Sequence, residues 1–249
     1  GGTRVTENTK YVNGGKTAWI PKGFTVSGIK SEQSIDNGLV IYDIPEGTTP
    51  DWSNPDSVKT KYNQFVWIPV EVKSTDTENS IASFYRSAWT ENTATGGERT
   101  TGLSTDYTEP DSTNDTADKT GIAGQITELT KSIYKYGGFY IGRYEAGSET
   151  ERTSSSGVTT LGIKQDMYPY NYVEWGDSES SIGTTGAVYL SNSLYNTNEY
   201  GATSMLCTGA CWDSMLDFIK DSKHSVTDST KWGNYSNSET FEITRGAYA

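Results

Sequence analysis

Two short runs, GLVIYDI at residues 38–44 and NQFVWIPVEV at residues 63–72, set the strongest limit on what this chain can fold into. Both are continuously apolar, rich in β-branched and aromatic residues and flanked by turn formers, without the alternation that marks a strand with one wet face. They predict central strands covered on both faces. A third extended region, KTAWIPKGFTVSGI at residues 16–29, carries Trp19, Ile20, Phe24, Val26 and Ile29. Its PKG interrupts the strand, because proline removes a ladder donor and glycine eases a bend. Residues 45–57, PEGTTPDWSNPDS, hold Pro45, Pro50 and Pro55 and are predicted as loop.

Helical periodicity enters later in the chain. Ile122, Ile126, Leu129 and Ile133 fall on one helix face, and Gly137–Gly138 supplies the stop. The strand FYIGRYEAG (139–147) follows at once. A second helix is predicted over residues 185–195, with Ala187, Leu190, Ser191 and Leu194 on one face. The third is entered through MLCTGACWDSML (205–216). There Trp212, Met215, Leu216 and Ile219 form the apolar stripe, and Thr208 is placed to cap the start. Long polar stretches occupy residues 90–120 and 148–157. Buried strands, a few helices and long loops in one chain predict an α+β class and a single domain over 1–249, with strands in 1–72 and a polar insertion at 90–120.

Charge narrows the partners. Aspartate and glutamate number 32 against 20 lysine and arginine, a net charge of -12, so the protein's field repels phosphate backbones and anionic membranes, and nucleic acid is excluded. No stretch approaches the ~20 apolar residues that span a bilayer, so no membrane span is predicted. The chain has 17 Tyr, 7 Trp and 26 Gly, a mixture suited to strands and extracellular binding loops.

Three groups of residues raise questions of chemistry. Asp106, Glu109, Asp111, Asp115 and Asp118 offer oxygen ligands, but their spacing matches no EF-hand, and a solvated loop is the simpler reading. Arg143 and Glu145, two apart on a predicted strand, share a face and are expected to pair. Cys207 and Cys211 are the only cysteines and His224 the only histidine, so a zinc site would need a carboxylate or water to complete it. The cysteines can form a local disulfide or stand as two small buried residues at a helix entrance. Their Cys-x3-Cys spacing weakens the redox reading. His224 reads as a solvated helix-end residue.

Four motifs in order resemble the formylglycine-generating-enzyme-like, or sulfatase-modifying-factor, domain. GGFYIGRYEAG resembles its first signature strand, with Glu145 at the glutamate, and YPYNYVEWGDSESS resembles the next, through Pro169, Val173, Trp175 and Asp177. MLCTGACWDSML is similar to a Leu-Pro-Thr-x-x-Glu-Trp-Glu helix start, matched by Leu206, Thr208, Trp212 and Asp213, with Cys207 at the proline and Cys211 at the glutamate. KWGNYSN resembles a Pro-Trp-Gly segment through Trp232, Gly233 and Asn234. On this resemblance residues 121–249 form the signature region. The N-terminal part is similar to versions in clostridial, pilin-like surface proteins.

The resemblance implies a C-type-lectin-like fold, loop-rich and lacking its final strands, since the Asn-Val-Trp-Glu-Trp and Arg-Gly-Gly-Ser-Trp signatures do not occur. The missing strands would be cleaved but retained, supplied by a neighbouring subunit, or dispensable. The family's catalytic cysteines lie in the absent part, so no catalytic residue carries over. Asn234, Asn237 and Glu239 fall near where the family binds calcium. Trp175, Trp212 and Trp232, at signature positions, are expected in the core rather than on a sugar platform.

The expected function is therefore a non-enzymatic binding domain at the bacterial cell surface, an adhesin or pilin-like head. Its ligand would be a glycan or a protein, contacted through the loops at 90–120 and 149–157. The alternative is a structural filament subunit completed by a neighbouring copy, and an oxidase-type enzyme is the least supported.

Overall fold

The structure, a computed structural model, describes residues 2–90, 98–100, 122–157, 159–176 and 183–221. Within them the order is β1 (Thr9–Asn13), β2 (Lys16–Ile20), β3 (Thr25–Val26), β4 (Val40–Tyr42), α1 (Pro55–Lys61), β5 (Gln64–Pro69), β6 (Ala88–Thr90), β7 (Glu98–Thr100), α2 (Ile122–Tyr136), β8 (Gly138–Gly142), β9 (Gly147–Ser148), β10 (Tyr168–Pro169), α3 (Ala187–Ser193) and α4 (Gly209–Asp221). The strands form one four-stranded sheet, ordered β3-β4-β5-β8, and the two-stranded ribbons β1-β2, β6-β7 and β9-β10. Helices mixed with small antiparallel sheets make this an α+β protein. Packing divides the described chain into two compact units, residues 2–67 with 140–206, and residues 68–139 with 207–221.

In the first unit, β1 and β2 form a hairpin that apolar patterning does not reveal, because β1 is largely solvent-facing. Its signal is Asn13-Gly14-Gly15. Both glycines have positive φ, 59° and 77°, the conformation that two-residue hairpin turns require. The extended region at 16–29 is two strands, broken at Pro21–Gly23 as its PKG implies. β4 is buried along its length and lies between β3 and β5, the central placement expected of it.

The loop predicted at 45–57 needs correction at its end. Pro55 opens α1, with the Asn54 side chain accepting from the Ser57 N–H at 3.4 Å. Proline suits a first helical position because its missing N–H would have no partner there. α1 buries Val58, which joins Val40, Tyr42, Ile44 and Tyr62 in one cluster backed by Trp52 and Val66. A second apolar group is aromatic. Tyr195 meets Phe24 at 5.1 Å, Phe65 at 5.5 Å and Tyr200 at 4.7 Å, each edge to face. Tyr195 follows α3, which is shorter than the predicted helix and turns Val188, outside the predicted face, fully inward.

In the second unit, α2 follows the predicted periodicity. Ile133 is fully buried, and Gly137, at φ 77°, sends its N–H back to the Ile133 carbonyl at 2.7 Å. That left-handed residue is the predicted helix stop. α4 departs from its predicted stripe. Ala210, Cys211, Asp213 and Ser214 are buried, whereas Trp212 is 48% exposed. Asp213 sets the rotation of the helix. It lies 2% exposed and accepts from the Arg86 Nε at 2.9 Å and the Ser87 N–H at 2.8 Å. Arg99 adds bonds to Asp217 at 3.4 Å and the Tyr85 carbonyl at 2.7 Å, with its guanidinium 4.2 Å from the Tyr85 ring centre. A buried carboxylate must be paired, and that requirement outweighs the apolar count of the stripe.

The strand predicted at 139–147 ends at Gly142, and the expected Arg143–Glu145 pair does not form. Arg143 turns instead to Glu32, in the 3-10 turn Lys30–Glu32 of the same unit. Its Nη1 reaches Glu32 Oε1 at 2.7 Å and Gln64 Oε1 at 3.2 Å. Ser27 Oγ and the Tyr42 hydroxyl donate to the other Glu32 oxygen at 2.7 and 2.9 Å, and the Lys59 Nζ stands 3.7 Å away. Burial alone would raise the Glu32 pKa. The bonds from Ser27, Arg143 and Tyr42 outweigh it and hold the carboxyl below its ordinary range. Burial and the Glu32 charge push the Tyr42 hydroxyl far up, so it remains a donor.

A folded-state pKa below the unfolded value means that this stabilisation is present above the unfolded pKa and is lost as pH falls through the folded one. At neutral pH, Glu32→Gln is expected to lower unfolding free energy by about 3 kcal/mol, because Arg143 keeps its burial and loses its counter-charge. Urea titrations should show the gap between variant and parent narrowing below pH ~4.

Candidate functional site

The polar segments following β8 build a surface within the first unit. β9 and β10 pair as a short ribbon, extended by the mutual hydrogen bonds of Gly147 and Gly162 at 2.8 and 2.9 Å and by the Tyr170 N–H on the Ala146 carbonyl at 2.9 Å. One face of this ribbon is anchored by a buried network. The Ile163 N–H donates to Asn63 Oδ1 at 2.7 Å, and the Gln165 N–H to the Lys59 carbonyl at 3.1 Å. Asn63 is held in turn by Asp43, through its own N–H at 2.8 Å and its Nδ2 at 2.7 Å. The Tyr195 hydroxyl also donates to Asp43, at 2.7 Å. Burial raises the Asp43 pKa against the lowering effect of these bonds, and burial with the nearby Asp43 charge raises that of Tyr195.

Arg152 organises the other side. Although it lies in a serine- and threonine-rich loop, it is 7% exposed, with its guanidinium 4.6 Å from the Tyr170 ring centre. It donates to the carbonyls of Asn171 at 2.9 Å, Tyr172 at 3.2 Å and Gly157 at 3.3 Å. One buried planar cation thereby gathers residues 152, 157, 171 and 172, using the multiple fixed donors that only arginine offers. The loop proposed from sequence as a contact region is tied down at its base.

Two shallow clefts result, sharing Tyr168 and Pro169. One, about 280 Å³, is lined by Tyr144, Glu145, Lys164, Gln165 and Asp166. The other, about 170 Å³, is lined by Glu151, Arg152, Thr153, Asn171 and Tyr172. Asp166 at φ 63° and Tyr172 at φ 51° are the non-glycine residues with left-handed backbone among those described, and each cleft contains one of them. For a bulky side chain that conformation costs about 1–3 kcal/mol and persists only where surroundings impose it. At Tyr172 the Arg152 bonds to the carbonyls of residues 171 and 172 hold it, and the ring is presented 54% exposed. Glu145, raised in pKa by partial burial, and Asp166 take no hydrogen bond or ion pair from the described residues. The Lys164 ammonium is 3.3 Å from Glu149.

Trp175, expected in the core, is 51% exposed. Its backbone is nevertheless fixed, since its carbonyl accepts from the Val188 N–H at 3.2 Å and that of Glu174 from the Ala187 N–H at 2.8 Å. Gly186 permits the approach, because a Cβ there would stand 2.6 Å from the Gly176 Cα. Sequence reasoning missed Arg152, Asp166 and Tyr172 as site residues. The signals it had were an arginine among small polar residues and a tyrosine following Pro-Tyr-Asn, neither of which specifies backbone handedness.

The cysteines belong to the second unit. Both are thiols, Cys207 exposed and Cys211 buried, so only one matches the reading of two small buried residues. Thr208 caps α4 as predicted, its Oγ1 accepting from the Cys211 N–H at 3.2 Å. The proposed calcium ligands Asn234, Asn237 and Glu239 lie outside the described residues, as do His224, Trp232, Gly233, Asp177 and the acidic group Asp106, Glu109, Asp111, Asp115 and Asp118. Among the described residues no three His, Cys, Asp or Glu side chains gather as a metal-holding group, and no helix is long and apolar enough to cross a membrane. Comparison with protein-family models, curated proteins and solved structures finds no match to this chain.

Arg152→Met keeps the packing on Tyr170 and removes the donors, leaving several carbonyls unpaired. It is expected to destabilise by about 2 kcal/mol and to speed hydrogen exchange selectively at residues 152–157 and 170–173. Iodoacetamide on the native protein should label Cys207 and leave Cys211 unmodified until denaturant is added, as mass spectrometry of the peptides would read.

Proposed function

We propose that this chain is a non-enzymatic binding domain displayed outside the cell, on a bacterial surface, as an adhesin or pilin-like head. The observation that carries this reading is the pair of clefts about Tyr168, each containing a non-glycine residue held in a left-handed backbone. The strain at Tyr172, stabilised by the buried Arg152, suits a recognition surface set before its ligand arrives. Exposed Tyr172 and Trp175 on pinned backbone add the rigid, amphipathic contact residues typical of binding loops. The ordered motifs in residues 139–237 support a formylglycine-generating-enzyme-like domain with a C-type-lectin-like fold, which presents ligands on loops. Calcium at Asn234, Asn237 and Glu239 would be part of the same reading.

The purified chain is expected to bind saturably to at least one member of an immobilised panel of cell-surface glycans and extracellular proteins, measured by biolayer interferometry. Failure across the panel would sink the binding-domain reading. Concentration-dependent growth of long polymers in analytical ultracentrifugation, without panel binding, would favour a filament subunit instead.

A further inference from the structure

We propose that the two clefts about Tyr168 form one binding groove for an extended, neutral carbohydrate chain, with successive sugar units seated on either side of the Tyr168 ring. The inference rests on the binding-domain reading and deepens it by naming the ligand class and the site.

Size comes first. Each cleft, at about 280 and 170 Å³, falls below the ~300 Å³ where enclosed small-molecule pockets begin, so neither can engulf a compact cofactor. Adjacent and sharing Tyr168 and Pro169, they suit consecutive units of a chain that lies along the surface.

Charge selects against acidic ligands. Of the cations lining the clefts, Lys164 is paired with Glu149, and Arg152 turns its donors onto the carbonyls of residues 157, 171 and 172. Neither stands ready for a carboxylate or sulfate, while Glu145, Glu151 and Asp166 line the groove of a protein whose net charge is -12.

Hydrogen-bonding chemistry separates a sugar from a basic peptide. A lysine or arginine side chain only donates, and would answer the carboxylates alone. The groove also offers donors. Gln165 has its Oε1 occupied by the Tyr144 hydroxyl at 3.3 Å, which leaves its amide N–H groups, and Asn171 and Thr153 line the second cleft. Mixed donors and acceptors match hydroxyl groups, which both donate and accept. The aromatic rings of Tyr144, Tyr168 and Tyr172 complement the apolar C–H faces of sugar rings.

Tyr172 makes the test separable from folding. Glycine adopts its φ of 51° without penalty, so Tyr172→Gly should leave thermal stability unchanged or higher while removing an exposed ring. Glu145→Gln replaces a carboxylate that takes no bond from the described residues. The full chain would be tested by calorimetry and glycan array against neutral hexose and N-acetylhexosamine oligomers from monomer to hexamer, sialylated and sulfated glycans, and lysine- and arginine-rich peptides, with and without EDTA.

The expected result is binding of neutral oligomers, strengthening about tenfold or more from monomer to the shortest oligomers and then levelling, unaffected by EDTA. Tyr172→Gly and Glu145→Gln should each weaken it about tenfold without lowering the melting temperature. Binding only to acidic glycans or basic peptides, binding abolished by EDTA, or neutral-glycan binding unchanged in both variants would overturn the groove while leaving a binding domain standing. No binding to any of these probes would overturn the groove, and failure on the extracellular-protein panel as well would overturn the binding-domain reading too.

Discussion

The buried carboxylate of Glu32 is the constraint on which the first unit depends. It sits in a short turn, yet its partners come from three strands of the main sheet or the residues beside them, and the fourth strand joins through Arg143. Ser27 follows β3, Tyr42 lies in β4, Arg143 follows β8, and Gln64 of β5 completes the coordination of that arginine. An ionised carboxylate with so little water must be surrounded by donors, and donors placed on separate strands fix the strands relative to one another. Apolar burial supplies the bulk of the driving force and leaves register loosely defined. The network defines it, because a slip of one residue would turn Tyr42 to the opposite face.

From that base the surface loops acquire order they could not have alone. Among the described residues between 149 and 173 there is little regular structure. Their organisation comes from polar atoms used as anchors, with Asn63 and Asp43 holding residue 163 on one side and Arg152 gathering three carbonyls on the other. The same atoms that satisfy buried backbone groups hold Tyr172 in a conformation it would not choose. Stability and display are one arrangement here, which is why strain appears beside the clefts rather than in the sheet. The second unit repeats the theme on a smaller scale, where Asp213 turns α4 toward Arg86 and Ser87 and leaves Trp212 in solvent.

Much of the framework could be read directly from the residues. The strands at 40–42 and 64–69, the helix at 122–136 with its glycine stop, and the Thr208 cap were all visible, because apolar periodicity and local capping chemistry involve neighbours along the chain. What escaped was whatever depended on a polar partner far away. Strand spacing pairs Arg143 with Glu145, two residues off, whereas its partner Glu32 is 111 positions distant. The signature positions of Trp175 and Trp212 point to the core, whereas both are half exposed and Asp213, beside Trp212, takes the buried place.

The sequence by itself determined the α+β class, the central strands, the net charge of -12 and the abundance of tyrosine. Those properties follow from composition and from periodicities of two and 3.6 residues. Tertiary structure alone decided which carboxylates are buried and which stand open, where the aromatic rings face, and that Asp166 and Tyr172 take left-handed backbone. The reason is physical: a buried polar group needs a partner, the partner's position is set by the whole fold, and no local pattern encodes that distance.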